Sequence, residues 1–208
     1  MQPNKSIELY RPPKNISSGE IYKENKMGTY YGTTASETIN PLDISNDYIF
    51  ADAGNDIVNG WAGNDFIDGW TGNDTLYGRA GNDALFGYDG EDFLIGGRGS
   101  DFLVGETGND TLHGYGFSTY EYDILSGGTG ADTFVLGGNS GAFYEGNGYA
   151  TITDFNWLEG DKIQVYGSSN DYSLSNFGDG VDIYYQGDLI AFVENTTDVL
   201  LSADFIFV

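Results

Sequence analysis

Residues 54–80 decide the fold, because they read GNDIVNGWA, GNDFIDGWT and GNDTLYGRA, three consecutive copies of one nine-residue pattern. The pattern stays in phase as far as residue 112 and places glycine at 54, 63, 72, 81, 90, 99 and 108. Toward the amino end it reaches Ser45–Ile49, with serine in place of glycine, and it resumes at Asp123 and Gly130–Phe134 after one interruption. A fixed period of this kind is typical of a solenoid built from repeated turns and strands.

An aspartate stands two residues after each glycine, and a large aliphatic residue stands two residues further on. If each unit is a six-residue turn and a three-residue strand, two units complete one coil, and alternate units stack about 4.8 Å apart. The ten units then form an all-β parallel roll, with the aliphatic series from Val58 to Leu112 in its core. The aspartates fall into two ladders. The first ladder contains Asp47, Asp65, Asp83, Asp101 and Asp123, and the second contains Asp56, Asp74, Asp92, Asp110 and Asp132.

Between consecutive aspartates of a ladder the turns should form a cage of two carboxylates and several backbone carbonyls. Ca²⁺ takes about 6 to 8 oxygen ligands and tolerates irregular geometry, which favours it over Mg²⁺. A single aspartate after glycine often only hydrogen-bonds to the backbone of its own turn. Ten aspartates in register favour a role as metal ligands instead. The asparagines that precede them are interpreted as turn formers. The predicted carbonyl ligands are Gly54, Gly63, Gly72, Gly81, Gly90, Gly99, Gly108 and Gly130.

Two ladders of five aspartates leave four gaps each, so we expect about six to eight Ca²⁺ ions. The gap between Asp101 and Asp123 is the doubtful one, because the stretch from Gly114 to Asp123 is four residues longer than its equivalents. Without metal, neighbouring carboxylates repel by roughly 1 to 4 kcal/mol. The sequence therefore predicts a roll that folds when calcium binds.

Composition excludes several other functions. The chain has 208 residues and a net charge of −24, which disfavours nucleic acid and anionic membranes as main partners. It has no cysteine, which removes disulfides and thiolate sites, and the single histidine, His113, cannot form an H-E-x-x-H zinc motif. We therefore expect no enzymatic activity and no membrane insertion.

The repeat resembles the RTX (hemolysin-type) nonapeptide family, whose consensus is G-G-x-G-x-D-x-U-x with U a large apolar residue. The complete G-G form occurs at Gly96-Gly97 and Gly127-Gly128, and elsewhere the second position is Trp61, Trp70, Arg79, Tyr88 or Glu106. The resemblance implies a right-handed parallel β-roll, calcium binding and an extracellular location. It also implies type I export through an uncleaved C-terminal signal, which Asp204–Val208 resembles. By the same resemblance Asp154 and Asp161 are candidates for a further calcium site.

Four segments differ in character. Residues 1–27 are predicted to be an extended or mobile arm, residues 28–44 an N-terminal cap, residues 45–136 the roll, and residues 137–208 a C-terminal β cap with the secretion signal. The outer face of one sheet should carry an apolar stripe that includes Tyr48, Phe66 and Phe102. This stripe is covered either by the arm or the C-terminal segment, or by a partner, and the oligomeric state stays open.

Two functions agree with this sequence. The first is a secreted calcium-binding module with a non-catalytic structural, cell-surface or matrix role. The alternative is a carbohydrate-binding accessory module of secreted polysaccharide-modifying enzymes, in which Trp61, Trp70 and Tyr88 stack on sugar rings. Packing of these aromatic residues over neighbouring turns would explain their spacing equally well.

Overall fold

The structure is a computed structural model that describes residues 22–24, 28–41, 44–116, 120–138, 141–144 and 148–208. Most of the predicted arm lies outside these ranges. The strands are β1 (Tyr22–Glu24), β2 (Thr29–Tyr31), β3 (Thr38–Ile39), β4 (Tyr48–Phe50), β5 (Ile57–Asn59), β6 (Phe66–Asp68), β7 (Thr75–Ala80), β8 (Ala84–Asp89), β9 (Phe93–Arg98), β10 (Phe102–Thr107), β11 (Thr111–Tyr115), β12 (Tyr122–Thr129), β13 (Thr133–Val135), β14 (Gly137–Gly138), β15 (Gly141–Ala142), β16 (Tyr149–Ile152), β17 (Lys162–Val165), β18 (Tyr172–Phe177), β19 (Gly180–Tyr185), β20 (Asp188–Val193) and β21 (Phe205–Phe207). A short 3₁₀ turn covers Ser169–Asp171.

Successive strands of the repeat alternate between two parallel sheets. One sheet has the order β1-β2-β4-β6-β8-β10-β12-β16-β20-β19-β18, and the other has the order β21-β17-β13-β11-β9-β7-β5-β3. In the first sheet Leu85 pairs with Ile67 on one side and Leu103 on the other, so each coil advances by two nonapeptides. The predicted all-β parallel solenoid is confirmed.

The core is a column of aliphatic side chains between the two sheets. One side chain per nonapeptide points inward, because alternate residues of a strand face opposite sides of the sheet. The residues of the column have no solvent exposure and include Ile49, Val58, Ile67, Leu76, Leu85, Leu94, Leu103, Leu112 and Leu125. Full burial of such a side chain contributes about 1.5 to 3 kcal/mol, so the predicted aliphatic core stabilises every coil equally.

Parallel pairing continues past residue 136, where the cap was predicted to begin. Strand β16 pairs with β12, and β17 pairs with β13, in the same parallel sense as the repeats. Strands β20 and β21 then extend the two sheets again, and β18 and β19 close the first sheet as an antiparallel meander. Strand β18 was not predicted. Within the described ranges no helix has the length and apolar character needed to cross a membrane.

The predicted apolar stripe is present on the outer face of the first sheet. The ring of Phe66 lies 5.9 Å from Phe50 and 5.2 Å from Phe86, and Phe86 lies 5.9 Å from Phe102. Phe102 keeps 39% of its surface exposed and Tyr48 keeps 46%. The arm that was predicted as one possible cover lies mostly outside the described residues.

Candidate calcium-binding turns

The turns keep one backbone conformation even where the second consensus glycine is replaced. Trp61, Trp70 and Arg79 have φ angles of 76°, 71° and 84°, in the left-handed region that Gly97 also occupies with a φ of 107°. A non-glycine residue in this region carries a cost of about 1 kcal/mol or more, so the neighbouring coils must hold it there. The departures from the G-G consensus therefore do not change the turn.

The ten predicted aspartates lie in two ladders, as the period required. Along both ladders the backbone N–H of an aspartate donates to Oδ1 of the aspartate in the next coil, for example from Asp65 to Asp83 and from Asp83 to Asp101 at 2.8 Å. The second ladder is longer than predicted. Glu37 takes the aspartate position before Asp56, and Asp161 takes it after Asp132, at 2.8 and 2.9 Å.

The second oxygen of most ladder aspartates is buried without a hydrogen-bond partner in the part of the chain that the structure describes. This holds for Oδ2 of Asp56, Asp74, Asp83, Asp92, Asp101, Asp110 and Asp132. A buried carboxylate oxygen without a donor costs about 1 to 3 kcal/mol or more. In the described ranges no three His, Cys, Asp or Glu side chains group closely enough to hold a metal ion. A cation here would be shared between carboxylates of adjacent coils and backbone carbonyls.

A second set of glycines, five residues before ladder aspartates, was missed as part of the site. A Cβ atom on Gly78 would lie 2.3 Å from Asp83 Oδ2 and 2.7 Å from the carbonyl oxygen of Gly96 in the next coil. A carboxylate oxygen and a carbonyl oxygen of adjacent coils therefore lie close together beside Gly78, and both are acceptors. The set precedes seven of the ten ladder aspartates and comprises Gly60, Gly69, Gly78, Gly87, Gly96 and Gly105, which are nine residues apart, and Gly127 after the insertion. The nine-residue spacing of its first six members was a signal that could have identified it.

The glycines that were predicted to supply carbonyl ligands occupy a different position in the turn, two residues before an aspartate. Gly72 has a φ of 124°, and a Cβ atom on it would lie 1.7 Å from the Gly54 carbonyl oxygen. The same approach recurs from Gly81 to Gly63 at 1.6 Å. These carbonyls point at the matching glycine of the following coil, so glycine is required there for space as well as for backbone angle. Their role as calcium ligands stays a prediction.

Burial raises the pKa of the ladder carboxylates. The pKa of Asp101 rises to about 8, mainly because burial disfavours the charged form, and Asp123, Asp83 and Glu121 add repulsion. Burial likewise raises the pKa of Asp74 and of Asp110 to about 7. The calcium-free roll therefore favours protonated carboxyl groups, and a bound cation would favour the ionised form instead.

The asparagines form a ladder of their own, in which the hydrogen bonds point to the preceding coil and not to the following one. The backbone N–H of Asn64 donates to Oδ1 of Asn46 in the preceding coil at 2.8 Å, and Asn82 donates to Asn64 at 2.9 Å. The side-chain oxygens of these exposed residues are thus occupied by turn N–H groups. This agrees with their interpretation as turn formers.

The insertion does not interrupt the first ladder. The N–H of Asp101 donates to Oδ1 of Asp123 at 2.8 Å across 22 residues, where the preceding coil of this ladder spans 18. Asp123 differs at its other oxygen, which accepts a hydrogen bond from the Tyr144 hydroxyl at 2.5 Å. Burial raises the pKa of Asp123 to about 7, although this hydrogen bond lowers it.

The two acids after the repeats have different surroundings. Asp161 continues the second ladder, and its Oδ2 accepts the N–H of Asn156 at 2.8 Å. Both oxygens of Asp154 are engaged by the last turn, since they accept the N–H groups of Gly127 and Gly128 at 2.9 and 2.8 Å. Asp154 therefore orders this turn, and the calcium role of both residues stays a prediction.

Substituting Gly78 by alanine should disrupt both the turn and calcium uptake. The new methyl group would overlap the buried Asp83 carboxylate and the backbone carbonyl of Gly96, and neither can move aside easily. We expect the calcium-loaded protein to lose more than about 3 kcal/mol of unfolding free energy, measured by urea denaturation. Gly138→Ala is the matched control, because its Cβ would meet nothing closer than Phe143 at 3.8 Å. Equal stability of the two variants would contradict the assigned geometry.

Comparison with known proteins identifies the repeats. Four copies of the RTX calcium-binding nonapeptide repeat match residues 43–76, 71–103, 95–116 and 121–140. Repeats of this family bind Ca²⁺. No curated protein sequence matches the chain significantly.

The solved structures that match the chain include a lipase and a subunit of an epimerase. The extracellular lipase LipA from Serratia marcescens covers 89% of this chain at 16% identity with a TM-score of 0.35, and this chain spans 41% of the lipase. The AlgE6R3 subunit of the Azotobacter vinelandii mannuronan C5-epimerase covers 84% of this chain and 80% of its own length, at 22% identity and a TM-score of 0.28. By this match, and by their motif and strand register, residues 43–116 and 121–140 are RTX calcium-binding nonapeptide repeats.

Proposed function

We propose that the chain is a secreted, non-catalytic calcium-binding module whose roll folds when Ca²⁺ binds. The observation that carries the proposal is the row of buried Oδ2 atoms without donors, each beside a glycine carbonyl of the next coil in the turns of Asp74, Asp83 and Asp110. Only acceptors face each other in these turns, so a cation satisfies both at once. Ca²⁺ suits such a set because it takes oxygen ligands in irregular arrangements.

The residues proposed to hold calcium are the ladder aspartates together with the glycine carbonyls that approach their Oδ2 atoms. Each gap would contain one carboxylate oxygen from one coil and carbonyl oxygens from the next. The predicted ladders supply four gaps each, and the register of Asp132 with Asp161 adds one gap to the second ladder. Eight of these nine gaps were predicted from the sequence, so we propose eight or nine ions, whose positive charges stay below the net charge of −24 in magnitude.

A calcium titration of the purified full chain tests this function. Isothermal calorimetry should show cooperative uptake of about eight Ca²⁺ ions, because binding at one gap orders the turns on both of its sides. Mg²⁺ is the control and should be taken up far more weakly, since it demands a tight octahedron. Uptake of at most one or two Ca²⁺ ions would contradict the proposal and leave a bare scaffold.

The proposed export follows from the same coupling of binding and folding. Proteins of this family are typically exported by type I systems, and a chain that folds only with calcium would stay unfolded where calcium is scarce. The segment predicted as the secretion signal forms β21, which pairs with β17 in the second sheet. A folding role and a signal role for this segment are compatible, because export would precede folding.

Carbohydrate binding is the second candidate function. The Trp70 side chain is 55% exposed, and its ring lies 6.4 Å from that of Tyr88, so the two form a small aromatic surface at the turns. Trp61 is less available, because its indole N–H donates to Asn40. Retention of the calcium-loaded protein on a glycan array, lost in Trp70→Ala with calcium uptake intact, would establish this function.

A further inference from the structure

The last turn of the first aspartate ladder differs from the interior turns of that ladder. In the interior of the first ladder, a Cβ atom on Gly78 would lie 2.3 Å from Asp83 Oδ2 and 2.7 Å from the Gly96 carbonyl oxygen of the next coil. At the equivalent glycine of the last turn, Gly114, the neighbours are Asp123 Oδ2 at 2.4 Å and the Tyr144 hydroxyl at 2.5 Å. The hydroxyl therefore occupies the place that a glycine carbonyl takes in the preceding coils.

The exchange of a carbonyl for a hydroxyl changes the chemistry of this position. A carbonyl only accepts, so it faces the aspartate oxygen as a second acceptor and leaves room for a cation. The Tyr144 hydroxyl donates to Asp123 Oδ2 and satisfies it without metal. The next coil also lacks the acid that a further site would need, because Asp123 pairs with Ala150 in β16.

Packing holds the Tyr144 hydroxyl in place. The side chain is 1% exposed, and its ring lies 5.0 Å from that of Tyr115. The adjacent Phe143 stacks on Tyr115 at 5.3 Å and on His113 at 4.8 Å. Three aromatic contacts thus anchor the segment after the β14–β15 hairpin against β11, so the hydroxyl is presented to Asp123 by a rigid support.

We propose that Tyr144 closes the first carboxylate ladder by giving Asp123 a hydroxyl donor in place of a further cation. This inference rests on the proposed calcium function. The first ladder then accepts no ion beyond the gap between Asp101 and Asp123, whereas the second ladder continues to Asp161. There the backbone N–H of Asn156 donates to Asp161 Oδ2, so this aspartate also has a protein donor in place of a further cation. The two ladders therefore hold unequal numbers of ions, and protein donors set the limit of each.

The test is Tyr144→Phe in the full chain, with Tyr172→Phe as matched control. Tyr172 is also buried, but its hydroxyl donates to the neutral carbonyl of Tyr166 at 2.7 Å. We expect Tyr144→Phe to bind as many Ca²⁺ ions as the wild type and to raise the unfolding equilibrium constant in calcium at least tenfold. The control should keep the same ion count with a smaller change, because hydrogen bonds to charged groups are the stronger ones.

A double-mutant cycle separates the two roles that Tyr144 could have. In an Asp123→Asn background, Tyr144→Phe should change the unfolding constant by less than twofold, because the charged acceptor is gone. Loss of one Ca²⁺ ion in Tyr144→Phe would make the hydroxyl a calcium ligand and overturn the proposal, as would an unchanged unfolding constant. If the wild type itself takes up no calcium, the proposed function fails, whatever the coupling between Tyr144 and Asp123.

Discussion

Calcium-free protein, prepared by chelation and gel filtration, should have no strand signal at pH 8 and should regain it at pH 5. The cause is the set of buried carboxylates, whose pKa values rise from the ordinary 3.8 to about 8 for Asp101 and about 7 for Asp74 and Asp110. A group with a raised folded-state pKa contributes its stability below the unfolded pKa, and this stability is lost as the pH rises through the folded pKa. The loss therefore begins above the unfolded pKa, and most of it should fall between about pH 5 and pH 8.

The expected effect is large enough to abolish the fold. Each pKa unit corresponds to about 1.4 kcal/mol, so the shifts of these three carboxylates correspond to roughly 4 to 6 kcal/mol each before screening by solvent, which reduces them. Even after this reduction their sum is comparable to the 5 to 15 kcal/mol that typically separates a folded domain from its unfolded chain. Ionising them without a cation should therefore remove most of the net stability of the roll.

Far-UV circular dichroism at a series of pH values, with and without calcium, measures this effect. The calcium-loaded protein is the control and should keep its strand signal at pH 8, because bound cations favour ionised carboxylates. At pH 5 protons compete with calcium, so the apparent affinity should fall there. A full strand signal in the calcium-free protein at pH 8 would show that the carboxylates do not oppose folding.

Replacing Asp83 by asparagine should have opposite effects with and without calcium. The asparagine oxygen can still accept the N–H of Asp65, but the uncharged amide replaces an Oδ2 that has no donor. Without calcium the variant removes a buried charge, whose burial raises the pKa of Asp83 to about 6. We therefore expect the acid-induced folding transition of the calcium-free chain to extend to higher pH.

With calcium the same substitution should destabilise the protein. Asp83 lies between two gaps of the first ladder, so the variant should bind one or two ions fewer in a calorimetric titration. Each lost ion removes about 2.7 kcal/mol when calcium stands at a hundred times its dissociation constant. Thermal unfolding in calcium should show the corresponding decrease in stability.

Asp179→Asn is the matched control for Asp83→Asn. Asp179 is exposed in the turn between β18 and β19, away from the ladders, so the same chemical change should leave both measurements near the wild type. If Asp83→Asn changed stability equally in both conditions, Asp83 would have no calcium-dependent role, and the assigned calcium site would be contradicted.

The repeat region was readable from sequence because its contacts have one constant separation. The register of Leu85 with Leu103 follows directly from the nine-residue period. Beyond β13 the separation between paired strands changes, from Asp132 to Asp161 and then from Ile163 to Phe205, although parallel pairing persists. A period search cannot follow pairings whose spacing varies, so the C-terminal coils were predicted as separate strands.

The contact of Tyr144 with Asp123 was unpredictable for a related reason. It depends on the segment after the β14–β15 hairpin, which packs against β11, and no equivalent contact occurs elsewhere among the described residues. The missed glycines illustrate the opposite case, since Gly60, Gly69 and their equivalents have the same strict period as the aspartates. Their function became clear only when the Asp Oδ2 atoms were located beside them.

The opposed aspartate and asparagine ladders also determine how the protein can come apart. Asp65 donates forward to Asp83, whereas Asn82 donates backward to Asn64, so adjacent coils are linked in both directions. A single coil has few bonds of its own and depends on its neighbours for these acceptors. An interior coil held on both sides resists opening more than a terminal coil held on one. In mechanical terms, we expect the roll to unravel coil by coil from its ends.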